Sequence, residues 1–468
     1  MTNARPRSVG IVGAGFTGTM LAVHLIELSR VPLRVILFDR TATFGNGTAY
    51  ATPNAKHLLN VRVGNMSAYD ADPDHFVRWL GEQKEACAGP QSRRAFVSRG
   101  TYGRYLRATL EAARFQASSR ASVVEVGAEV SSLRAGEQSV ELASADGRRF
   151  DVDCVALCIG NLPPQLPVEA RAMPGNLGCY VANPWTADVL SRIGNEDSVV
   201  LVGTGLTMVD VVLELRSRSH KGRLTALSRR GFLPMAHMDT QPYPPFLPAD
   251  RLPPTVRKLF RAVRREVEAA AQRGVDWRSV IDALRPQTQA LWRNLPLDER
   301  RRFLRHVRPY WEVHRHRVSP AVAAEIAGLQ RSGELSIVAA RIVALEADGN
   351  GFSLGIHSRD HDGVRHLSGN WLVNCSGPQL DYGRIRDPLI GSLFASGMAR
   401  PDPLRLGLDV TDDYRLVDKT GVAAACLFAL GPPIRGSLWE STAVPDIRKQ
   451  CEALARHLAD ACAGHSRR

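Results

Sequence analysis

The stretch from Ser8 to Arg40, SVGIVGAGFTGTMLAVHLIELSRVPLRVILFDR, constrains this chain more than any other part of it. A short apolar run, Val9 to Val12, reads as a buried parallel strand. Gly13, Gly15 and Gly18 follow in G-x-G-x-x-G spacing, and an apolar helix then runs through Leu28. The three glycines do different things. Gly13 permits the tight turn, Gly15 lets a pyrophosphate approach the backbone, and Gly18 lets helix and strand pack closely. Phe16 and Thr17 open the helix, whose first N–H groups and partial positive charge favour phosphate. A second β-rich run, Arg34 to Phe38, ends in Asp39, where a carboxylate can take both ribose hydroxyls. Strand, glycines, helix, strand and acid in register predict a dinucleotide-binding fold.

The opening recurs. SVVLVGTGLTMVDVVLEL (198–215) places Gly203 and Gly205 as before, with Leu206 and Thr207 starting the helix and Met208 at the third glycine position. The strand that follows ends in Ser228-Arg229-Arg230 rather than an acid. Arginines there can clasp a 2′-phosphate that a carboxylate would repel, so the second nucleotide is expected to be NADPH rather than NADH. Each opening also has a closing part. Strands over Ser122–Glu129, Ser139–Ala143 and Arg149–Val152 lead to an apolar return strand ending at Gly160, with the Asp146-Gly147 turn between the middle two. From Ser336 a similar pattern ends at Gly377. The loop after Asp39 would lay Asn60 and Met66 against the first ligand, and Val126 would offer backbone groups to an adenine. A last strand reaches Gly431, and a helix entered near Thr442 would turn its N-terminus toward a flavin. The fold class is therefore α/β, with two Rossmann-like dinucleotide-binding domains and a helical insertion. The expected boundaries are 1–175, 176–335 with a basic helical insertion over 250–320, and 336–468, the last returning to the first domain.

Composition narrows the function. No apolar run reaches the ~18–20 residues that a membrane span needs. The first strand starts too early to leave room for a signal peptide. The eight cysteines are scattered without a C-x-x-C pair, which fits reduced thiols and a cytoplasmic protein. The net charge is +13, and the segment from Arg251 to Arg317 holds 17 basic against 7 acidic residues. Such a stripe is a solvated helix face, a site for a small anion, or a nucleic-acid surface. Nucleic acid is the least expected of the three. His314 and His316 stand as H-x-H without a third ligand at a standard spacing, so no metal site is expected.

Two dinucleotide modules imply hydride transfer between two cofactors, FAD on the Asp39 module and NADH or NADPH on the other. A disulfide reductase needs a cysteine pair beside the flavin, and the loop after Asp39 has none. Cys154 and Cys158 lie on the return strand. Oxygen, a quinone or an electron carrier remains as acceptor.

GIVGAGFTGTMLAVHL (10–25), HLLNVRVGNMSAYDADPDHFVRWL (57–80), VLVGTGLTMVDVV (200–212) and GSLWESTAVPDIRKQ (436–450) together resemble the flavoprotein monooxygenases that include the FAD-dependent urate hydroxylase HpyO and the aspartate N-monooxygenase CreE. Arg62 departs from the proline common in the second block. The resemblance implies an enzyme that uses FAD, NAD(P)H and O₂ to hydroxylate a small anionic substrate. Urate, converted to 5-hydroxyisourate, is the favoured expectation, and N-hydroxylation of an amino acid such as aspartate is the alternative. An NAD(P)H:acceptor reductase and a non-catalytic flavin-binding scaffold also stay open. No motif names a general base; His237, Asp239 and Tyr243, in the irregular segment after the second nucleotide strand, are the candidates. The oligomeric state is not legible.

Overall fold

The computed structural model describes residues 6–83, 92–117, 120–136, 139–166, 178–248, 250–348, 351–358 and 362–465. The opening strand, Arg7–Val12, lies in the middle of a sheet. On one side it pairs in parallel with Leu33–Asp39 and then Ala121–Gly127, and on the other with Cys154–Leu157 and then Ala423–Ala429. Arg415–Val417 closes that edge antiparallel. The strands read as continuous apolar runs because both faces are covered. Val35 and Leu37 join a core with Phe16–Leu28, Arg99–Gln116 and the final helix, whose Ile447, Cys451 and Leu454 are buried there. Ile36 and Phe38 point the other way, onto Val140, Leu142 and Val152 of the antiparallel meander Val130–Ala135, Val140–Ser144 and Arg149–Val152.

The second sheet repeats the arrangement. Val199–Val202 is flanked by Leu224–Ser228 and Leu335–Asp348 on one side and by Trp371–Asn374 and Tyr180–Val181 on the other. Gly351–Ser358 and Arg365–Gly369 extend the outer edge as an antiparallel ribbon. Leu335–Asp348 and Trp371–Asn374 therefore belong to the second sheet. The expected return to the first domain at residue 336 is too early, and the first sheet regains the chain only with Arg415–Val417 and Ala423–Ala429. The apolar run after residue 335 suits either sheet; its pairing with Leu224–Ser228 decides the matter.

Between Leu224–Ser228 and Leu335–Asp348 the described residues form six α-helices: Val256–Gln272, Trp277–Ala283, Thr288–Asn294, Leu297–His306, Arg308–Arg315 and Pro320–Arg331. Within the insertion, Trp277–Ala283 and Thr288–Asn294 are separated by a tight turn at Arg285–Gln287. Pro286 supplies no N–H and disfavours a helical residue before it, which explains the break. The last helix, Val444–His465, has Pro445 in its first turn, where a missing N–H costs nothing. Among the described residues no helix is long and apolar enough to cross a membrane.

Candidate functional site

Both glycine loops have the geometry that their spacing predicts. Gly13 has φ +103°, and a Cβ there would stand 2.3 Å from the Cys158 carbonyl oxygen. Gly203 repeats this, with φ +118° and a Cβ 2.2 Å from the Cys375 carbonyl oxygen. The two crossings thus share one local design. At Gly18 a Cβ would lie 1.9 Å from the Gly13 carbonyl oxygen, so this glycine brings helix and strand together. Met208 stands at the equivalent place in the second loop and is fully buried in that sheet's core. The helices after Gly15 and Gly205 both begin without a side-chain cap and without an acidic residue in the first turn. Their leading N–H groups are suited to phosphate oxygens. A Cβ on Gly205 would meet nothing within 4 Å, and one on Gly15 only the Gly47 Cα at 3.7 Å, so both loops leave room for a ligand.

Asp39 is buried at the end of its strand. Its Oδ2 accepts from the Ala14 N–H at 3.3 Å, and its Oδ1 from the Thr41 N–H at 2.8 Å and the Thr41 hydroxyl at 2.6 Å. The carboxylate is held beside the glycine loop, as a ribose ligand requires. Gly431 reaches the same helix end: a Cβ on it would lie 2.8 Å from Thr17 Oγ1. Gly160 and Gly377 both have positive φ with open space where a Cβ would be. Val126 is buried opposite Phe38 in the sheet. Met66 sits in the first core, Asn60 is half-buried, and Thr442 lies just before the last helix. These residues fit FAD at the first loop.

At the second loop the two arginines part. Arg229 is exposed at the strand end. Arg230 is drawn away: its Nη1 donates to the Tyr310 hydroxyl at 2.9 Å, and its guanidinium lies over the Tyr310 and Phe232 rings at 4.9 and 5.8 Å. Arg229 is the better candidate for a 2′-phosphate. Leu206 and Thr207 occupy the helix's first turn, half-buried.

The two folds meet at a buried ion pair that sequence reasoning missed. Arg99 grips Asp210 through both carboxylate oxygens, at 2.8 and 3.0 Å. His57 Nε2 is 2.9 Å from the Asp210 carbonyl oxygen, and Asn54 donates to Glu214. A lone aspartate within MVDVV was the available signal. Burial pushes the Asp210 carboxyl up, and Arg99 pulls it back.

Beside this junction a cavity of about 1120 Å³ is lined by Arg62, Asn65, Arg93, Arg94, Phe96, His237 and Asp239, among others. The first fold supplies the arginines and Asn65, and the segment after the second nucleotide strand supplies His237 and Asp239. His237 Nε2 lies 3.0 Å from the Asn60 carbonyl oxygen, and its ring is 5.1 Å from that of Phe96. Burial, with help from Arg317 and Arg62, pushes the imidazole down to about 4. The neutral ring therefore donates from Nε2, which leaves Nδ1 an acceptor. Asp239 is paired with Arg62 at 2.6 Å and lies 3.7 Å from Arg94, an arrangement ill suited to a free base. Tyr243 does not join them. It is bonded to Glu266 and Arg273, outside the cavity. Arg93 is paired with Asp74, so three arginines face two aspartates and the wall keeps a small positive bias; none of the three arginines was singled out from sequence as a site residue.

His314 packs against Trp277, and His316 is held neutral, pushed down to about 3 by burial and then by Arg315 and Arg435. Among the described residues no group of three or more His, Cys, Asp or Glu is placed to hold a metal.

Residues 10–162 match a protein family described as FAD-NAD(P)-binding. No curated protein matches the chain. Many solved structures align with the chain, and the following three are among those that cover nearly its whole length. The ornithine N-hydroxylase of Kutzneria sp. 744 is 16% identical with a TM-score of 0.65, and the alignment covers 99% of this chain and 100% of that one. The reduced form of the ornithine hydroxylase of Pseudomonas aeruginosa is 17% identical with a TM-score of 0.66, covering 97% and 99%. The cadaverine monooxygenase of the desferrioxamine pathway of Erwinia amylovora is 14% identical with a TM-score of 0.66, covering 97% and 95%. The likeness is one of fold. It extends the two-dinucleotide architecture to both halves of the chain.

Proposed function

We propose that this chain is an FAD-dependent, NADPH-using monooxygenase that N-hydroxylates the amino group of a small amino acid or amine. The observation that carries the reading is the pairing of two dinucleotide folds along the whole chain, in the arrangement shared with the amine hydroxylases above. FAD would be held by Gly13, Gly15, Gly18, Asp39 and the first turn of Phe16–Leu28. NADPH would be held by Gly203, Gly205 and Arg229. Held by these residues, FAD would supply hydride acceptance and O₂ activation, with NADPH as the hydride source.

The chain's own groups set the conditions. An amine can be hydroxylated only while its nitrogen keeps a free lone pair. A wall carrying Arg62, Arg93 and Arg94 disfavours a protonated amine nearby, since like charges lower its pKa. Neutral His237 adds an acceptor without adding positive charge. Cys154 and Cys158 read against a disulfide reductase: both are on or beside the return strand, and burial pushes the Cys154 thiol up to about 12 and Cys158 higher still. The urate reading yields to its alternative here, because the three similar structures described above are amine hydroxylases and no feature of the cavity calls for a purine.

The test is NADPH and NADH oxidation in air by FAD-loaded protein, with ornithine, lysine, cadaverine, aspartate and urate in parallel and hydroxylamine products measured. Amine-stimulated oxidation with matching hydroxylamine is expected. Urate consumption without hydroxylamine would restore the urate reading. Rapid quinone reduction with no hydroxylated product would favour an acceptor reductase.

A further inference from the structure

A second group of charges lies where the helical insertion meets the start of the last helix. Arg285 and Arg315 come from the insertion, and Arg435, Trp439, Glu440 and Ser441 from the loop before Val444. Arg285 is 3.3 Å from Asp446, in the last helix's first turn. Arg315 Nε is 3.3 Å from Glu440 Oε2, and the Arg435 guanidinium lies 4.7 Å over the Trp439 ring. The cluster is buried but incompletely satisfied. Arg315 Nη2, Arg435 Nε, Trp439 Nε1 and Ser441 Oγ are all buried without a hydrogen-bond partner, while Arg315 Nε has its ion pair with Glu440 and Arg435 Nη2 lies 3.6 Å from Glu312. Glu440 is already engaged, with Oε1 accepting from Trp311 Nε1 at 2.7 Å. One unpartnered acceptor, Gln289 Oε1, belongs to the same neighbourhood, since Gln289 donates to the Trp439 carbonyl.

A buried donor left unmade costs about 1–3 kcal/mol, and more when charged. Four such atoms in one place are not what a packing cluster settles into. Glu440 adds a second sign. It has φ +63°, a left-handed conformation for a residue that is not glycine, and is almost fully buried. Backbone strain of this kind collects at ligand sites and costs about 1–3 kcal/mol. Donors this numerous, two of them on guanidinium planes, match the several lone pairs of a carboxylate.

We infer that Arg315, Arg435 and Ser441 form a carboxylate-binding subsite for the substrate. The inference rests on the N-hydroxylase reading and sharpens it: the substrate is an amino acid, or another amine bearing a carboxylate, rather than a simple diamine. The subsite supplies binding and orientation and takes no proton.

Glutarate and cadaverine make a matched pair of probes, five carbons each, one with two carboxylates and one with two amines. Calorimetric titration of the FAD-loaded full chain is expected to show glutarate binding. Arg315→Gln should weaken it at least tenfold. Ser441→Ala, which removes an unpartnered hydroxyl without a change of charge, should weaken it several-fold. FAD content and melting temperature should stay near wild type in Ser441→Ala, and Arg315→Lys should recover part of the affinity lost in Arg315→Gln. Equal glutarate affinity in wild type and Ser441→Ala would overturn the subsite, as would loss of FAD with glutarate binding retained, which would place the donors on the flavin. Cadaverine binding without glutarate binding would also overturn it. Arg315-dependent glutarate binding with no hydroxylamine from any amine would sink the N-hydroxylase reading while leaving the carboxylate site in place.

Discussion

The third glycine position separates the two loops at the level of single residues. Gly18 leaves no space for a methyl group, since its Cβ would lie 1.9 Å from a backbone oxygen. Gly18→Ala is therefore expected to push helix from strand, lower stability by about 1–3 kcal/mol and reduce bound FAD. Absorbance at the flavin band and a thermal melt measure both. Met208 shows that the second loop has already absorbed this separation. The adjacent strand ends offer another contrast. Arg229→Ala should raise KM for NADPH about tenfold and leave KM for NADH unchanged, whereas Arg230→Ala should do less, because Arg230 already serves Tyr310. Steady-state kinetics with both nucleotides decides this, and equal effects on NADPH and NADH would remove the 2′-phosphate reading. These loop residues were legible in sequence because their requirements are local. A turn, a close approach and a helix start are written within six residues. The cavity was legible only in part. His237 and Asp239 could be named, but Arg62, Arg93 and Arg94 come from two segments more than a hundred residues away.

Among the elements, the junction between Arg99–Gln116 and Leu206–Ser217 carries the most concentrated dependence. Asp210→Ala would leave Arg99 buried without its partner, at a cost of about 3–5 kcal/mol. Urea unfolding should show the lowered midpoint. The double replacement Arg99→Met with Asp210→Leu should recover much of it, since removing both charges also removes their desolvation penalty. Hydrophobic patterning could not reveal this pair, because each partner sits in a helix that reads well without the other. The same limitation applies to the helix ends inside the insertion. The apolar spacing continued across Pro286, but the backbone could not.

Over the whole molecule, titration links these sites to stability. His237 and His316 are held down to about 4 and about 3 in the folded chain, against about 6.5 when unfolded. On acidification from pH 6.5 the unfolded chain takes up protons that the folded chain refuses, so stability falls, by up to about 1.4 kcal/mol per pH unit for each histidine. Asp402 acts in the opposite direction. Burial raises its carboxyl from 3.8 to about 6, so its contribution is fully present below 3.8 and is lost as pH rises through 6. With two groups against one, stability should still fall between pH 6 and pH 4. His237→Gln should flatten that slope and Asp402→Asn should steepen it. Chemical denaturation at a series of pH values measures each change, and a wild-type midpoint independent of pH over this range would contradict both assignments. Two Rossmann-like folds were legible at this scale because the strand and glycine patterns repeat. Ownership of the strand after residue 335 was not, since an apolar parallel strand looks alike in either sheet.

The order of strands in the first sheet has a consequence for how the protein is made. Cys154–Leu157 has Ala423–Ala429 as its outer neighbour, and the whole second sheet is encoded between them. At roughly 5–20 residues per second, the ribosome leaves an apolar strand edge without its partner for on the order of tens of seconds. An open edge of that kind is a template for mispairing between nascent chains. The second nucleotide fold must therefore be synthesised, and leave the way clear, before the first can close.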